Sequence, residues 1–344
     1  MKLNVTTKKC QILDEPFKIT LPPEIWEIIL NNDVLKDSLG LLRHVCRLFR
    51  NILVDSRKIT IRILSTVQLI KWARVNDCPW DWRTSAIIAK NGYFEVLKWL
   101  SANGCPCDED TCSNAALSGN FKMLKWLRKK NCQWDENTCA NAALTGNIEM
   151  LKWARKNGCP WDSLTCVKAA ENGNLNILKW VRANGCPWVT GIIFETPCAF
   201  AARNGDLEML KWARSDGCPW EKSTCSWAAE NGHLEVLQWA RANGCDWHFT
   251  VTCKLAAKNG HLEVLKWLRA NKCPWNSETC TRAAENGHLK VLQWARANGC
   301  DWGESTCSHA AKNGHLEILQ WARENGCPWD YLTCACAAEN GHFK

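Results

Sequence analysis

Residues 218–243 read CPWEKSTCSWAAENGHLEVLQWARAN, and this stretch decides the fold because it recurs along most of the chain. The clearest marker of the recurrence is the tryptophan near its end. Equivalent tryptophans follow at intervals of 27 residues, with one interval of 32 and one of 28, at positions 72, 99, 126, 153, 180, 212, 239, 267, 294 and 321. A period of roughly 20 to 50 residues indicates stacked repeats in which each unit contacts only its neighbours. The length of 344 residues therefore counts repeats and does not imply one large core.

Each unit predicts two helices joined by a tight turn. Thr224 is a suitable N-cap for the first helix, and Gly232 stands where a left-handed residue ends it. A second helix is predicted over about 233–243, with Gly244 as its stop. Its apolar positions cover more than one stripe, as expected if both neighbouring repeats pack against it. The hydrophobic core is then formed by the packing of each repeat against its neighbours.

The composition restricts the compartment and the class of protein. A total of 23 cysteines would suit a disulfide scaffold in a short secreted chain, but residues 1–20 lack the apolar core of a signal peptide. We therefore expect a reducing, cytoplasmic compartment. No stretch approaches the ~18 apolar residues of a membrane helix, so no membrane association is expected. The formal charge of +8 lies largely in the recurring Lys-Trp-Ala-Arg stretch, which is more typical of a solvated helix face than of a nucleic-acid site.

Cysteines and histidines also recur, but their pattern predicts structural roles. Cysteines lie seven apart, as in Cys105 and Cys112, whereas zinc sites use closer pairs, so both columns are interpreted as small core residues. Equivalent cysteines of successive repeats are expected about 8 to 10 Å apart, too far for a disulfide, while pairing between the two columns stays open. Polar residues of earlier repeats replace the histidines at 233, 261, 288, 315 and 342, which predicts a capping role at the start of the second helix.

The chemistry of catalysis is missing from the sequence. It contains no glycine-rich phosphate loop, no Gly-x-Ser-x-Gly elbow and no His-Glu-x-x-His pair. We therefore predict that the protein is not an enzyme and that it has no catalytic residues, no metal site and no cofactor.

The repeat resembles the ankyrin family. The resemblance rests on TPCAFAA at 196–202, GHLEV at 232–236 and NGCPWD at 157–162, which follow the usual sequence motifs of the first helix, the second helix and the exit turn of an ankyrin unit. The unit is about six residues shorter than the usual ankyrin repeat, and the loss falls where ankyrins carry a protruding β-hairpin. The resemblance implies an all-α, ankyrin-type helix-turn-helix solenoid over residues 59–344, with about ten 27-residue repeats of which the last is incomplete.

One position of the first helix predicts a partner site, whereas the two main tryptophan columns are interpreted as packing between repeats. The position lies two residues after the first-helix cysteine and faces the concave groove in ankyrins. It reads Ile87, Asn114, Asn141, Lys168, Phe200, Trp227, Leu255, Arg282, His309 and Cys336 along the chain. Its three successive large apolar residues, Phe200, Trp227 and Leu255, with Ile192 and Phe194 of the inserted stretch 189–195, predict an exposed patch that binds a protein. The alternative is that the insertion folds back and buries these side chains.

A different pattern precedes the repeats. The stretch LPPEIWEIIL at 21–30 predicts a helix with an early proline, and VCRLFR at 45–50 lies in a second helical segment. Together they resemble an F-box, which places a tail at 1–20 and a small helical F-box-like domain at 21–58. The resemblance implies that a Skp-type adaptor is bound by Leu21, Pro22, Ile25, Ile28, Ile29, Val45, Cys46 and Phe49. The alternative is that these helices only cap the first repeat.

The combination of an F-box with short tryptophan-rich ankyrin repeats resembles multigene families of large DNA viruses and protists. It implies a substrate receptor of an SCF-type ubiquitin ligase, with the adaptor and cullin at the F-box, a protein substrate at the ankyrin groove, and the host cytoplasm as location if the chain is viral. The alternative is an ankyrin scaffold without a ligase link. A nucleic-acid reader is not favoured, because Phe200, Trp227 and Leu255 offer no polar pairs to bases.

Overall fold

The computed structural model describes residues 70, 71, 74, 80–189, 196–248, 250–329 and 331–342. The chain divides into two compact units, Met1–Trp134 and Asp135–Lys344. Every regular element within the described residues is a helix, which confirms the predicted all-α class over this part of the chain. The predicted tail at 1–20 and the F-box-like domain at 21–58 lie outside the described residues, so their boundaries stay predictions.

Within the described part of the first unit, two helix pairs follow one another. The helices are α1 (Trp82–Lys90), α2 (Phe94–Ala102), α3 (Glu109–Leu117) and α4 (Phe121–Lys129). Odd-numbered helices are the first helices of their repeats, and even-numbered helices are the second. The first helices α1 and α3 pack side by side, and each packs against its own second helix.

The second unit continues the same alternation. Its helices are α5 (Glu136–Leu144), α6 (Ile148–Lys156), α7 (Ser163–Glu171), α8 (Leu175–Ala183), α9 (Pro197–Asn204), α10 (Leu207–Ser215), α11 (Lys222–Glu230), α12 (Leu234–Ala242), α13 (Val251–Lys258), α14 (Leu262–Ala270), α15 (Ser277–Glu285), α16 (Leu289–Ala297), α17 (Thr306–Lys312), α18 (Leu316–Glu324) and α19 (Tyr331–Glu339). Consecutive first helices pack side by side from α5 to α19. No strand forms within the described residues, so the β-hairpin of ordinary ankyrin units is missing from them.

The start of the first helix differs from the prediction. Thr224 is the third residue of α11 and is not its N-cap, which is Glu221. The shortened repeat brings the last residue of the exit turn directly to the helix start, so Glu221 takes the N-cap position, although its side chain makes no capping hydrogen bond. In α3 the side chain of Asp108 accepts from the Thr111 N–H at 3.1 Å, and the Thr111 hydroxyl accepts from the Asp108 N–H at 3.3 Å. This reciprocal pair is a capping box that fixes the entry into the helix.

The turn between the two helices and the end of the second helix follow the prediction. Gly232 and Gly244 have φ angles of +80° and +88°, in the left-handed region. The second helix α12 covers Leu234–Ala242, one residue shorter at each end than predicted. The two glycines therefore end the two helices of the repeat, because a side chain there would strain the backbone.

The core consists of columns of small and aliphatic side chains that repeat along each unit. In one repeat, Cys225, Ala228 and Ala229 of α11 have no exposed surface, and neither has Leu237 of α12. Both cysteine columns are buried from Cys105 to Cys327, which confirms their interpretation as core residues. Burial of these apolar columns against the neighbouring repeats stabilises the stack at roughly 25 cal/mol per Å² of apolar surface removed from water.

The exit-turn tryptophans connect consecutive second helices. Arg214 of α10 donates from Nη1 to the Cys218 carbonyl at 2.6 Å, and its Cζ lies 4.2 Å from the ring centre of Trp220. The other side of Trp220 meets Trp239 of α12 edge to face, with ring centroids 6.0 Å apart. Edge-to-face pairs recur at Trp161 and Trp180, Trp247 and Trp267, and Trp275 and Trp294, and tilted pairs at Trp188 and Trp212 and at Trp302 and Trp321. This confirms the predicted packing role of both tryptophan columns.

Candidate protein-binding groove

The predicted partner position lies on a surface formed by neighbouring first helices of the second unit. Helix α9 packs against α11, and α11 packs against α13, so Phe200, Trp227 and Leu255 follow one another across three repeats. Trp227 and Leu255 are half-buried. The position therefore remains open to solvent at two of the three residues.

Phe200 does not belong to an exposed patch. Its side chain is 3% exposed, and its ring packs edge to face against Trp227, with centroids 5.1 Å apart and an angle of 79°. The expectation that Phe200 is exposed is therefore wrong, and its ring packs against the indole of the next repeat.

The remaining predicted site residues lie outside the described part of the chain. These are Ile192 and Phe194 of the insertion, and Leu21, Pro22, Ile25, Ile28, Ile29, Val45, Cys46 and Phe49 of the F-box-like segment. Their roles stay predictions. The alternative that the insertion covers the patch stays open for the same reason.

A pocket of about 640 Å³ opens beside Trp227. Its walls come from three consecutive repeats and consist of Arg203, Trp227, Glu230, Asn231, Asn259 and His261. The exposed guanidinium of Arg203 lies 5.2 Å from the centre of the Trp227 ring, within the range of a cation–π interaction. Arg203 forms no ion pair with any residue that the structure describes. The pocket thus presents an indole and a cation side by side.

Hydrogen bonds to the end of α11 fix the polar wall of the pocket. The Asn231 amide donates to the Trp227 carbonyl at 2.9 Å, and the Asn259 amide donates to the Glu230 carbonyl at 2.7 Å. The Glu230 carbonyl also accepts from Nε2 of His261 at 3.0 Å, which requires the ring proton on Nε2. The Trp227 carbonyl also accepts from the Asn231 backbone N–H at 3.1 Å, whereas the Glu230 carbonyl is one of the last carbonyls of the helix, which lack a partner within it. The bonds therefore satisfy the helix end and hold the wall in place before any partner arrives.

The histidine column bonds neighbouring repeats together. Nε2 of the histidine reaches the last turn of the preceding first helix at His233 to the Arg203 carbonyl (3.0 Å), His261 to Glu230 (3.0 Å), His315 to Glu285 (3.0 Å) and His342 to Lys312 (3.2 Å). Asparagine in the same column behaves differently, because Asn147 Oδ1 accepts from the Met150 N–H of its own helix at 2.9 Å. The predicted capping role is therefore right for Asn147 and wrong for the histidines, whose rings are long enough to reach the neighbouring repeat.

One member of the column has a shifted pKa. Burial lowers the pKa of His288, a hydrogen bond with the Lys258 carbonyl opposes this shift, and the neighbouring rings of His261 and His315 lower the pKa further. The imidazole of His288 is therefore neutral near pH 7. A neutral ring still donates one hydrogen bond, so it can hold the preceding repeat without placing a charge in the stack.

Within the described residues, no group of three or more His, Cys, Asp or Glu side chains could hold a metal ion. No helix in this part of the chain is long and apolar enough to cross a membrane.

The family model of ankyrin repeats (many copies) matches residues 225–269 and 280–323. These two ranges of the chain contain ankyrin repeats. The first matched range includes α12, α13 and most of α11 and α14, so five of the six pocket residues lie within it. Among solved structures, the human ASB11 ankyrin repeat domain is similar, with 19% sequence identity and a TM-score of 0.44, over 56% of this chain and 99% of that one. No curated protein matches the sequence.

Sequence reasoning found only one residue of the ankyrin pocket, Trp227. The overlooked signal lies five residues after the first-helix cysteine, at the end of each first helix in the second unit. From α7 onward this position alternates in charge through Glu171, Arg203, Glu230, Lys258, Glu285, Lys312 and Glu339. A regular alternation of charge at the ends of the first helices indicates that these side chains lie near charged groups, either in a neighbouring repeat or in a partner.

Proposed function

We propose that this protein is a substrate receptor of an SCF-type ubiquitin ligase that holds a protein substrate in the ankyrin groove at Trp227. One observation carries the substrate-binding half: the indole of Trp227 and the exposed guanidinium of Arg203 line a single pocket. Tryptophan and arginine are the side chains most often found at the energetic centre of protein interfaces. Phe200 beneath the indole and the hydrogen bonds of the wall preorganise them, which lowers the entropic cost of binding.

The pocket chemistry favours a protein side chain over a small cofactor. It is open to solvent and carries one cation, one carboxylate and one half-buried aromatic face, with asparagine and histidine groups that each already donate one hydrogen bond. A partner segment that presents a carboxylate to Arg203 and an apolar group to Trp227 would complement both. We therefore expect a substrate peptide in which an acidic residue stands next to an apolar one.

The ligase half rests on the F-box-like wording of LPPEIWEIIL at 21–30 and VCRLFR at 45–50. In this proposal these two segments bind a Skp-type adaptor and, through it, a cullin. The competing function is an ankyrin scaffold that binds its partner without a ligase. Both functions use the groove at Trp227, so they differ in whether the chain binds the adaptor.

The groove is tested by isolating a bound protein with the full chain and then measuring its affinity for purified variants. Trp227→Ala is expected to weaken binding by about 30-fold or more, which corresponds to about 2 kcal/mol at an interface hot spot. Trp82→Ala is the matched control, because Trp82 is an exposed tryptophan of the first unit, 38% exposed, and should leave the affinity unchanged. Equal affinities of the wild type and Trp227→Ala would remove the groove from the proposal.

The ligase link is tested with a purified Skp-type adaptor. The full chain should retain the adaptor, and a chain without residues 21–56 should not, while both bind the substrate equally. If neither chain retains the adaptor and both still bind the substrate, the scaffold function is correct and the receptor function is wrong.

A further inference from the structure

The structure pairs cysteines that the seven-residue spacing does not connect. In the repeats from α3 to α18, the cysteine of the first helix is paired with the cysteine that lies 20 residues later, after the second helix. Two of these pairs have their sulfur atoms in direct contact. The Sγ atoms of Cys166 and Cys186 are 3.3 Å apart, and those of Cys307 and Cys327 are 2.7 Å apart. All four are free thiols.

The same pairing recurs elsewhere with one thiol turned toward the backbone. There the first-helix thiol donates to the carbonyl of its partner cysteine, at 3.8 Å for Cys112 and Cys132, 4.0 Å for Cys198 and Cys218, 3.8 Å for Cys225 and Cys245, 3.9 Å for Cys253 and Cys273, and 3.8 Å for Cys280 and Cys300. In these pairs the two thiols also hydrogen-bond to each other, and the same holds for Cys139 and Cys159. The Cys166–Cys186 and Cys307–Cys327 pairs are members of this recurring arrangement with sulfur–sulfur distances of 3.3 Å and 2.7 Å.

The surroundings of Cys186 favour its thiolate. The thiol of Cys166 donates a hydrogen bond to it, and this bond together with the nearby Arg182 guanidinium lowers the pKa of Cys186 although burial opposes the shift. Arg182 is held beside it by a hydrogen bond from Nη1 to the Cys186 carbonyl at 2.5 Å. A thiolate next to a thiol is the arrangement from which a disulfide forms, because the thiolate is the nucleophile. In the second pair, the hydrogen bond with Cys307 and burial raise the pKa of Cys327, so that pair rests on its sulfur–sulfur distance.

We propose that Cys166 with Cys186, and Cys307 with Cys327, are modification sites at which hydrogen peroxide forms a reversible disulfide within one ankyrin repeat. One thiolate attacks peroxide, the O–O bond breaks, and the products are a sulfenic acid and hydroxide, which takes up a proton to become water. The partner sulfur then attacks the sulfenic sulfur, the S–O bond breaks, and a second water leaves with the thiol proton. One peroxide is reduced to two waters while two thiols are oxidised to one disulfide.

The short sulfur–sulfur distances favour a disulfide within each of these two pairs. A disulfide has an S–S length of about 2.0 Å, so Cys166 and Cys186 need to approach by only about 1 Å, and Cys307 and Cys327 by less. Both bonds would join the first helix of a repeat to the residue that follows its second helix, across the buried core of that repeat. The bond would therefore clamp a helix pair closed without linking it to the next repeat. A dithiol reductant would release the clamp.

The test uses the full chain in its folded, reduced form. The protein is treated with hydrogen peroxide, the remaining thiols are alkylated in denaturant, and the disulfide-linked peptides are mapped by mass spectrometry. We expect links between Cys166 and Cys186 and between Cys307 and Cys327, both lost after treatment with dithiothreitol. We also expect the melting temperature of the oxidised chain to rise by about 5 °C, because the bonds restrict the unfolded chain.

Two variants make the mapping specific. Cys186→Ala should abolish the first link and leave the second, whereas Cys334→Ala, which removes an exposed thiol outside both pairs, should leave both links in place. Alkylation of all four paired cysteines at a peroxide dose that oxidises Cys334 would overturn the proposal. Links that join different repeats would overturn it too. The mapping on the wild-type chain decides between these outcomes even if Cys186→Ala does not fold.

Discussion

The close approach of Gly232 to His261 predicts how much stability is lost when a methyl group is added at Gly232. Gly232 has a φ of +80°, and a Cβ built on it would lie 2.7 Å from both Nδ1 and Cε1 of His261 in the next repeat. Gly244 of the same repeat has a φ of +88° and nothing within 4 Å of such a Cβ. Gly232→Ala and Gly244→Ala therefore strain the backbone alike, and only the first also displaces a neighbouring ring.

The magnitude follows from these two terms. An alanine in the left-handed region costs about 1–2 kcal/mol, and this is the whole effect expected for Gly244→Ala. At Gly232 the imidazole either stays and is overpacked, at about 1–3 kcal/mol, or moves and loses its 3.0 Å hydrogen bond to the Glu230 carbonyl, at about 1 kcal/mol. The cheaper response wins, so the ring moves. Gly232→Ala should destabilise by about 1 kcal/mol more than Gly244→Ala.

The assay is urea denaturation of both variants followed by circular dichroism, each repeated in a His261→Ala background. Without the imidazole, the excess cost of Gly232→Ala should vanish, and the two glycine substitutions should become equal. Equal losses in the wild-type background would refute the reasoning, and so would an excess that persists after the ring is removed. A further readout is the groove, because His261 lines the pocket and its displacement should weaken substrate binding.

Three further outcomes follow from the structure. Phe200→Ala should lower the free energy of unfolding by about 3 kcal/mol or more because its ring is buried, while Trp227→Ala should lower it less because Trp227 is half-buried. Thermal denaturation of the two variants measures the difference, and equal losses would contradict the assigned burial. Burial and the neighbouring histidines lower the pKa of His288, so its contribution to stability is present above about pH 6.5 and is lost as the pH falls through the lower pKa of the folded state. Between pH 7.5 and 4.5, the urea midpoint of His288→Gln should therefore fall less steeply than that of the wild type. Parallel slopes for the two proteins would argue against this role. Asp108→Ala should destabilise the start of α3 by about 1 kcal/mol, seen as faster amide exchange in its first turn, whereas Glu109→Ala, one residue later and exposed, should have little effect.

The helices were predictable because each one is marked by residues that act locally. Gly232 and Gly244 end their helices through their own backbone preference, whatever surrounds them. The choice of N-cap was harder, because Thr224 and Glu221 are both able to accept a hydrogen bond and only the length of the exit turn decides between them. The short repeat leaves no spacer between exit turn and helix, which favours the earlier residue.

The site was less predictable because its parts come from different repeats. Whether Phe200 is exposed depends on the size of Trp227, which lies 27 residues later, and no local pattern contains that information. Arg203 and His261 meet only when three repeats are stacked. The cysteine pairs were hidden for a similar reason, since the conspicuous spacing of seven residues joins the end of one helix pair to the start of the next.

The alternating charges at the ends of the first helices constrain how this chain can change in length. Deleting one repeat between α7 and α19 would place two acidic or two basic side chains in adjacent units, for example Arg203 next to Lys258. Deleting two repeats would restore the alternation. Shortening or lengthening the second unit by an even number of repeats therefore preserves the alternation, whereas an odd number brings like charges into adjacent units.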